Sequence, residues 1–292
     1  MKRFAIGALF LLVALAAAGW WLSAPVRIQG DPFAGLTPDL TRGKEVFEAA
    51  GCAGCHAAPD STGDARLVLA GGEAFVSPFG TFYAPNISPS PQGIGDWSAK
   101  DLMEALVNGV ARNGEHLYPV LPYASYRKMT PQDVLSLDAY LRMLPPSDAS
   151  SKPQQASFPF SIRRGIGLWK LLFLDDTWVM TDPATPEIER GRYLVEALGH
   201  CAECHTPRGP FGQMDRSRWL QGAPNPVGRG TVPGLSPDKL DWSASDIEIF
   251  LKSGIKPDFD TAGGLMTEVV ENWSKLPDED RAAAVAYLKA LK

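Results

Sequence analysis

Cys52-Ala-Gly-Cys55-His56 and, 149 residues on, Cys201-Ala-Glu-Cys204-His205 contain all four cysteines and two of the four histidines of this 292-residue chain. Each is C-x-x-C-H, the attachment signature of haem c. The spacing answers a chemical need. Two thiols on one helical turn add across the vinyl groups of the macrocycle as thioethers, and the imidazole that follows coordinates the iron from one side. Other uses of cysteine fit less well. A structural zinc site can take two C-x-x-C pairs but gives no reason for an imidazole directly after each. Redox-active C-x-x-C pairs belong to thioredoxin-like βαβ folds, of which the sequence shows no sign. Two covalently bound haem c groups are therefore expected on Cys52, Cys55, Cys201 and Cys204, with His56 and His205 as iron ligands.

The segments around the two motifs repeat. Thr41-Arg-Gly-Lys-Glu-Val-Phe-Glu-Ala-Ala-Gly51 precedes the first, and Glu189-Arg-Gly-Arg-Tyr-Leu-Val-Glu-Ala-Leu-Gly-His200 the second. Both read as short amphipathic helices running into the motif. Downstream, Asn86-Ile-Ser-Pro answers Gly234-Leu-Ser-Pro, and Trp97-Ser-Ala-Lys-Asp answers Trp242-Ser-Ala-Ser-Asp. In the latter pair, Ser followed three residues later by Asp signals a helix start. These helices run to Gly109 and Gly254, each 12 residues beyond its tryptophan. Last helices are predicted over Pro131–Leu144 and Pro277–Leu291. Thr130 caps the first of them and Pro131 suits its first position. Helix, motif, loop, helix, loop, helix is the order of a class I cytochrome c fold. The expected protein is mainly α, with two such domains in tandem, over 36–146 and 187–292.

Between them, residues 147–186 form a linker. Its approach, Pro145-Pro-Ser-Asp-Ala-Ser-Ser-Lys-Pro-Gln-Gln155, reads as polar and flexible. The apolar run Gly167-Leu-Trp-Lys-Leu-Leu-Phe-Leu174 then predicts a short helix, clamped between the domains or offered to a partner or membrane. At the other end, Lys2-Arg3 precedes an uncharged stretch from Phe4 to Leu22, closed by Trp20-Trp21. Residues 1–24 are a signal-anchor or signal peptide by length, and the basic residues keep the N-terminus inside. The haem domains are then expected in the periplasm, held at the inner (cytoplasmic) membrane of a bacterium, or released there after cleavage near Ala16-Ala-Ala18. A formal net charge of −5 gives no sign of a nucleic-acid partner.

Several further stretches carry a family resemblance: Pro78-Phe-Gly-Thr-Phe-Tyr-Ala-Pro-Asn-Ile-Ser-Pro89, Gly93-Ile-Gly-Asp-Trp-Ser98, Leu117-Tyr-Pro…Pro-Tyr-Ala-Ser-Tyr126, Phe158-Pro-Phe-Ser-Ile-Arg163 and Gly199-His-Cys-Ala-Glu-Cys-His-Thr-Pro-Arg208. Together they resemble the multihaem cytochrome c subunit of membrane-bound bacterial alcohol, gluconate and fructose dehydrogenases. That family usually has three C-x-x-C-H motifs, and the match here is to the first two domains. The resemblance implies electrons passing from a dehydrogenase subunit, haem to haem, to a quinone, cytochrome or oxidase. It implies a carrier with no catalytic residues of its own.

A thioether is a common second axial ligand of haem c. For the second haem the candidate is Met266, which also fits the Gly-x-Met-x-Glu-Val-Val pattern of the family; Met214 follows His205 too closely. Gly254 precedes Met266 by 12 residues, and 12 residues after Gly109 stands Leu121, which has no donor atom. Relatives with Pro-Ala-Met-Pro-Tyr carry methionine at that place. Three possibilities stand for the first haem: Met129 from the same loop, His116 as an imidazole ligand, or an open iron. Met103 reads as core and His200 as a propionate or backbone partner. Tyr118, Tyr123, Tyr126 and Trp97 are expected around the first haem and Trp242 around the second. Arg163, Arg164, Arg208 and Arg229 are candidates for the propionates. An open first haem would favour another class, a peroxidase-like dihaem enzyme or a haem-based sensor.

Overall fold

The computed structural model describes residues 2–226 and 230–291. Arg229 therefore lies outside the described residues. The chain is mainly helical: α1 (Lys2–Leu22), α2 (Leu40–Ala49), α3 (Cys52–His56), a hairpin of β1 (Ala74–Ser77) and β2 (Gly80–Tyr83), α4 (Ala99–Met103), α5 (Tyr123–Tyr126), α6 (Pro131–Leu141), β3 (Gln155–Ala156) and α7 (Arg164–Phe173). It continues through α8 (Pro186–Tyr193), α9 (Ala202–His205), the short pair β4 (Ala223–Pro224) and β5 (Thr231–Val232), α10 (Ala244–Ser253), α11 (Leu265–Trp273) and α12 (Asp278–Ala290).

Among the described residues one helix is long and apolar enough to cross a membrane, Arg3–Leu22 within α1, and no protein covers it. The chain that follows is tied to the first helical unit. The Ile28 amide donates to the Glu104 carboxylate at 2.5 Å, Arg27 reaches the Arg112 carbonyl at 3.0 Å, and the Lys100 ammonium donates to the Gly30 carbonyl at 2.7 Å.

Two helix crossings of the same design organise the rest. In the first unit α2 crosses α6; in the second α8 crosses α12. Gly43 lies against the Ser136 carbonyl and the Tyr140 side chain, and Gly191 against the Ala283 carbonyl and Tyr287. A Cβ at either glycine would overlap the opposing carbonyl, so the helices approach this closely only because the side chain is a hydrogen. One residue before each glycine, an arginine forks onto a carboxylate of the partner helix: Arg42 onto Asp133 at 2.7 and 3.0 Å, Arg190 onto Asp280 at 2.8 and 2.7 Å. Val46, Phe47, Leu137 and Leu141 fill the first crossing, and Leu194, Ala284 and Leu288 the second.

The expected helix starts are in place. Ser98 with Asp101 and Ser243 with Asp246 form reciprocal capping boxes, and Gly109 and Gly254 close α4 and α10 in the left-handed conformation. In the first unit that helix ends in a π turn, Glu104–Asn108. The last helices are shorter than predicted. α6 stops at Leu141, because Leu144 precedes Pro145 and such a residue is driven out of the helical region. In α12, Pro277 holds extended backbone as the cap and does not enter the helix.

Other features depart from the simple repeat. α11 occupies what reads as loop, its start hidden behind Gly263-Gly264. The polar stretch after Pro145 is pinned, not flexible. The Asn86 side-chain amide donates to the carbonyls of Ser147 and Ala149, both at 2.8 Å, the Ser90 hydroxyl donates to Ser147 at 2.6 Å, and β3 adds an antiparallel strand to β2. Its serines satisfy the backbone that composition alone leaves to water.

Candidate functional site

Each C-x-x-C-H sequence forms a short helix, α3 or the turn into α9, with its histidine at the C-terminal end. The His56 Nδ1 lies 2.8 Å from the Pro85 carbonyl, and the His205 Nδ1 lies 2.7 Å from the Pro233 carbonyl. A carbonyl can only accept, so both rings are the Nδ1–H tautomer, with the Nε2 lone pair free for a metal. Burial holds both imidazoles below the ordinary histidine range, in the neutral form that a ligand requires. The backbone repeats as well: the Gly71 amide donates to the His56 carbonyl at 2.7 Å, and the Gly222 amide to the His205 carbonyl at 2.8 Å.

The thiols fit thioether attachment. All four cysteines are free of disulfide bonds. Burial pushes the Cys52 and Cys201 thiols up to about 12, opposite to the depressed thiol of a redox C-x-x-C pair. Among the described residues no three His, Cys, Asp or Glu side chains converge as a metal cluster, so the two pairs do not form one zinc cage. Oriented imidazoles and neutral, unpaired thiols on one short helix are the donor set that haem c takes.

The two turns differ at the residue before the first cysteine. Gly51 adopts φ 60°, whereas His200 holds the left-handed region at φ 41°. Gly43 precedes Cys52 by nine residues and Gly191 precedes Cys201 by ten. The added residue is taken up in a π turn, Leu194–Leu198, that ends the α8 run.

The turns also adjoin each other. The Ala50 carbonyl accepts from the Tyr126 hydroxyl at 3.1 Å and faces the His200 Nε2 at 3.2 Å, while the Tyr126 and His200 rings meet edge to face at 5.6 Å. Cys55 and Cys204 lie within electrostatic reach of each other. α11, which carries Met266 as its second residue, lies across the first turn: Glu268 touches Gly54 and pairs with Arg66 at 3.1 Å, and Lys275 pairs with Glu48 at 3.2 Å. Trp273 of the same helix packs on Gly199, beside Cys201.

The remaining candidates scatter. Met266 is half-buried at the head of α11. Met129 is buried in the main core just before α6. Counted back from the matched aspartates Asp133 and Asp280, its counterpart is Leu276, another core residue. Leu121 is half-buried against the same core. His116 points elsewhere: its Nε2 is 2.8 Å from the Ser23 carbonyl and its Nδ1 3.2 Å from the Lys170 ammonium, so both ring nitrogens are engaged at the foot of α1. Burial brings Lys170 down to about 7.

Of the tyrosines, Tyr126 stands in the main core, but Tyr118 joins a separate cluster with Phe82 and Ile166, and Tyr123 meets Trp169 of α7. Trp97 and Trp242 pack against the main core. Arg163 donates to the His116 carbonyl, Arg164 to Trp20, and Arg208 to Gly212 and Glu203. Each of those three guanidiniums thus has at least one backbone carbonyl as acceptor. The carbonyls of Pro85 and Pro233 escape a reading based on side chains. Their signal is the repeated Pro-x-x-Ser-Pro, at 85–89 and 233–237.

Comparison with known proteins agrees with this geometry. Residues 40–145 match the cytochrome c family. The chain is 54% identical over 290 residues to a dihaem cytochrome c-type protein of Cereibacter sphaeroides, covering 99% of this chain and 98% of that one. It is 37% identical over 269 residues to the fructose dehydrogenase cytochrome subunit of Gluconobacter japonicus, and 35% identical over 280 residues to the gluconate 2-dehydrogenase cytochrome c subunit of Pantoea cypripedii. It spans 54% and 62% of those two subunits' lengths. Fold, turns and matches together define a c-type cytochrome. Within that class the chain belongs to the dihaem cytochrome c family, and it carries two covalently bound haem c groups.

Proposed function

We propose that this protein is a membrane-anchored relay, taking single electrons from a dehydrogenase subunit and delivering them to a quinone, a cytochrome or an oxidase. In this reading two class I cytochrome c domains stand in tandem in the periplasm, with α1 as an uncleaved anchor in the inner membrane. Cys52 and Cys55 hold one haem and Cys201 and Cys204 the other. His56 and His205 bind iron through Nε2. When bound, haem c supplies a one-electron ferric–ferrous couple.

The observation that carries the reading is the abutment of the two attachment turns around the Ala50 carbonyl. A relay needs its two centres close and held. Tyr126, His200 and α11 provide that with direct contacts, whereas a pair of independent binding modules has no use for them. The carboxamide-like Pro85 and Pro233 acceptors keep the imidazoles from turning and raise their basicity.

For the second haem we assign Met266 as the sixth ligand. For the first we assign Met129, a buried thioether, since His116 is engaged on both nitrogens and Leu121 has no donor. Thioether ligation closes both irons to outside ligands and favours a carrier. The dehydrogenase partner is supported by the relatives, which are cytochrome subunits of fructose and gluconate dehydrogenases.

Electron paramagnetic resonance with near-infrared magnetic circular dichroism on the oxidised holoprotein tests the assignment. Two low-spin His–Met centres and no peroxide turnover are expected. A high-spin ferric centre that turns over peroxide would replace the relay with a peroxidase-like enzyme.

A further inference from the structure

α7 presents two unlike faces. Inward, the Lys170 ammonium donates to the carbonyls of Asn108 and Gly109 at 2.6 and 2.7 Å, and Ile166 is buried. Outward, Leu168, Leu171 and Leu172 fall on one helical face with relative exposures of 42%, 59% and 74%. Phe158 and Ile162, just before the helix, are exposed too. Among the described residues this face has no protein cover.

Its surroundings indicate what does cover it. The first turn of α7 is fastened to the end of α1. The Arg164 guanidinium donates to the Trp20 carbonyl at 2.6 Å and lies 4.5 Å from the centre of the Trp20 ring. Gly167 is pressed on the Ser23 carbonyl and the His116 ring, where a Cβ would overlap both, and the His116 Nε2 lies 2.8 Å from the same carbonyl. Tryptophans at the end of a span mark the headgroup level. α7 therefore starts at the depth where α1 leaves the bilayer. Its composition suits that place: Arg164 stands in the first turn, and no acidic residue lies within the helix.

We infer that the Leu168–Leu171–Leu172 face of α7 lies in the membrane–water interface beside α1, as a second, in-plane contact with anionic lipid. A single span leaves a domain free to swivel; a span with an adjoining interfacial helix fixes one side of it to the bilayer. The inference rests on reading α1 as an anchor.

The test places a diazirine-bearing residue at position 171 of the full-length holoprotein, in vesicles of phosphatidylethanolamine with phosphatidylglycerol. Parallel samples carry it at position 12, within α1, and at position 249, exposed on α10. All three positions are exposed, so folding is preserved. After irradiation, phospholipid adducts at 171 should be comparable with those at 12 and about tenfold above those at 249. Adducts at 171 to water or to protein alone, with lipid adducts at 12, would overturn the inference and leave the anchor standing. Lipid adducts at 171 without any at 12 would overturn both the anchor and a contact placed beside it, leaving α7 as a membrane contact of another kind. The loss of both would remove both.

Discussion

The first and second units of this molecule share a scaffold and differ around it. Both cross two helices at a glycine, fork an arginine onto an aspartate of the partner helix, and orient a histidine by a proline carbonyl. They part between the glycine that closes the middle helix and that aspartate. Gly254 to Asp280 is two residues longer than Gly109 to Asp133. The second unit uses the space for α11 and Met266; the first has the short α5, with Leu121 before it and Met129 after it. The turns that carry the cysteines and histidines are thus alike, while the segments that carry the candidate sixth ligands differ. That is the economy expected when covalent attachment fixes one face and the ligand on the other sets the potential.

The largest effects should come from the methionines. Met266→Leu should remove the thioether-to-iron band of one haem and create a high-spin ferric signal for that haem alone. Met129→Leu should do the same at the other. If Met129→Leu leaves the spectrum unchanged, Met129 is a core residue like Leu276, and the two units differ in ligation as well as in loop.

Next come the crossings. Gly43→Ala and Gly191→Ala should each cost about 3 kcal/mol, by forcing apart helices that meet at a backbone carbonyl. Thermal unfolding of the holoprotein reads the loss. Equal costs would confirm that the two crossings are alike; a tolerated substitution in one would show that it has room to slide.

Smaller losses are expected from the ion pairs. Asp133→Asn and Asp280→Asn should each cost about 2 kcal/mol at neutral pH, since a half-buried guanidinium loses its forked partner. Asp133 adds a pH dependence. Burial works to raise its carboxyl, but hydrogen bonds from Arg42 and Tyr193 outweigh it and hold the group below its ordinary value. Its contribution is complete above the unfolded value of about 3.9 and is lost as pH falls through the lower folded value. Asp133→Asn should therefore differ from the wild type at pH 7, with the gap closing below pH about 4. Denaturant titrations at several pH values check this.

His200→Gly should be the mildest change. Glycine suits the left-handed backbone, as Gly51 does in the first unit, so the relief offsets the lost contact with Ala50 to within about 1 kcal/mol. The rate at which an electron equilibrates between the haems after flash reduction then reports on the junction by itself.

Much of this was legible in the residues. The two motifs, the helix starts at Ser98 and Ser243, and the glycines that close both middle helices are local chemistry, and local chemistry reads directly from sequence. What was not legible involves acceptors without a side-chain signature or partners far along the chain. The proline carbonyls are backbone atoms. The partner of the His116 ring, the Ser23 carbonyl, stands 93 residues earlier in the chain. Nor does the sequence show the carbonyl acceptors that Arg163, Arg164 and Arg208 find. The tether after Pro145 resembles disorder because serine and asparagine favour loops, while their bonds to one another lie some 60 residues apart.

The placement of α11 reaches beyond the distance between centres. α11 meets the first attachment turn through Glu268 at Gly54, and Glu268 with Arg66 and, just beyond the helix, Lys275 with Glu48 add ion pairs between the two units, contacts expected to couple their unfolding. Heat or denaturant should then melt them in a single transition. Damage at Cys52 or Cys55 would be felt at Met266 as a loosened helix, although the two lie more than 200 residues apart in the chain.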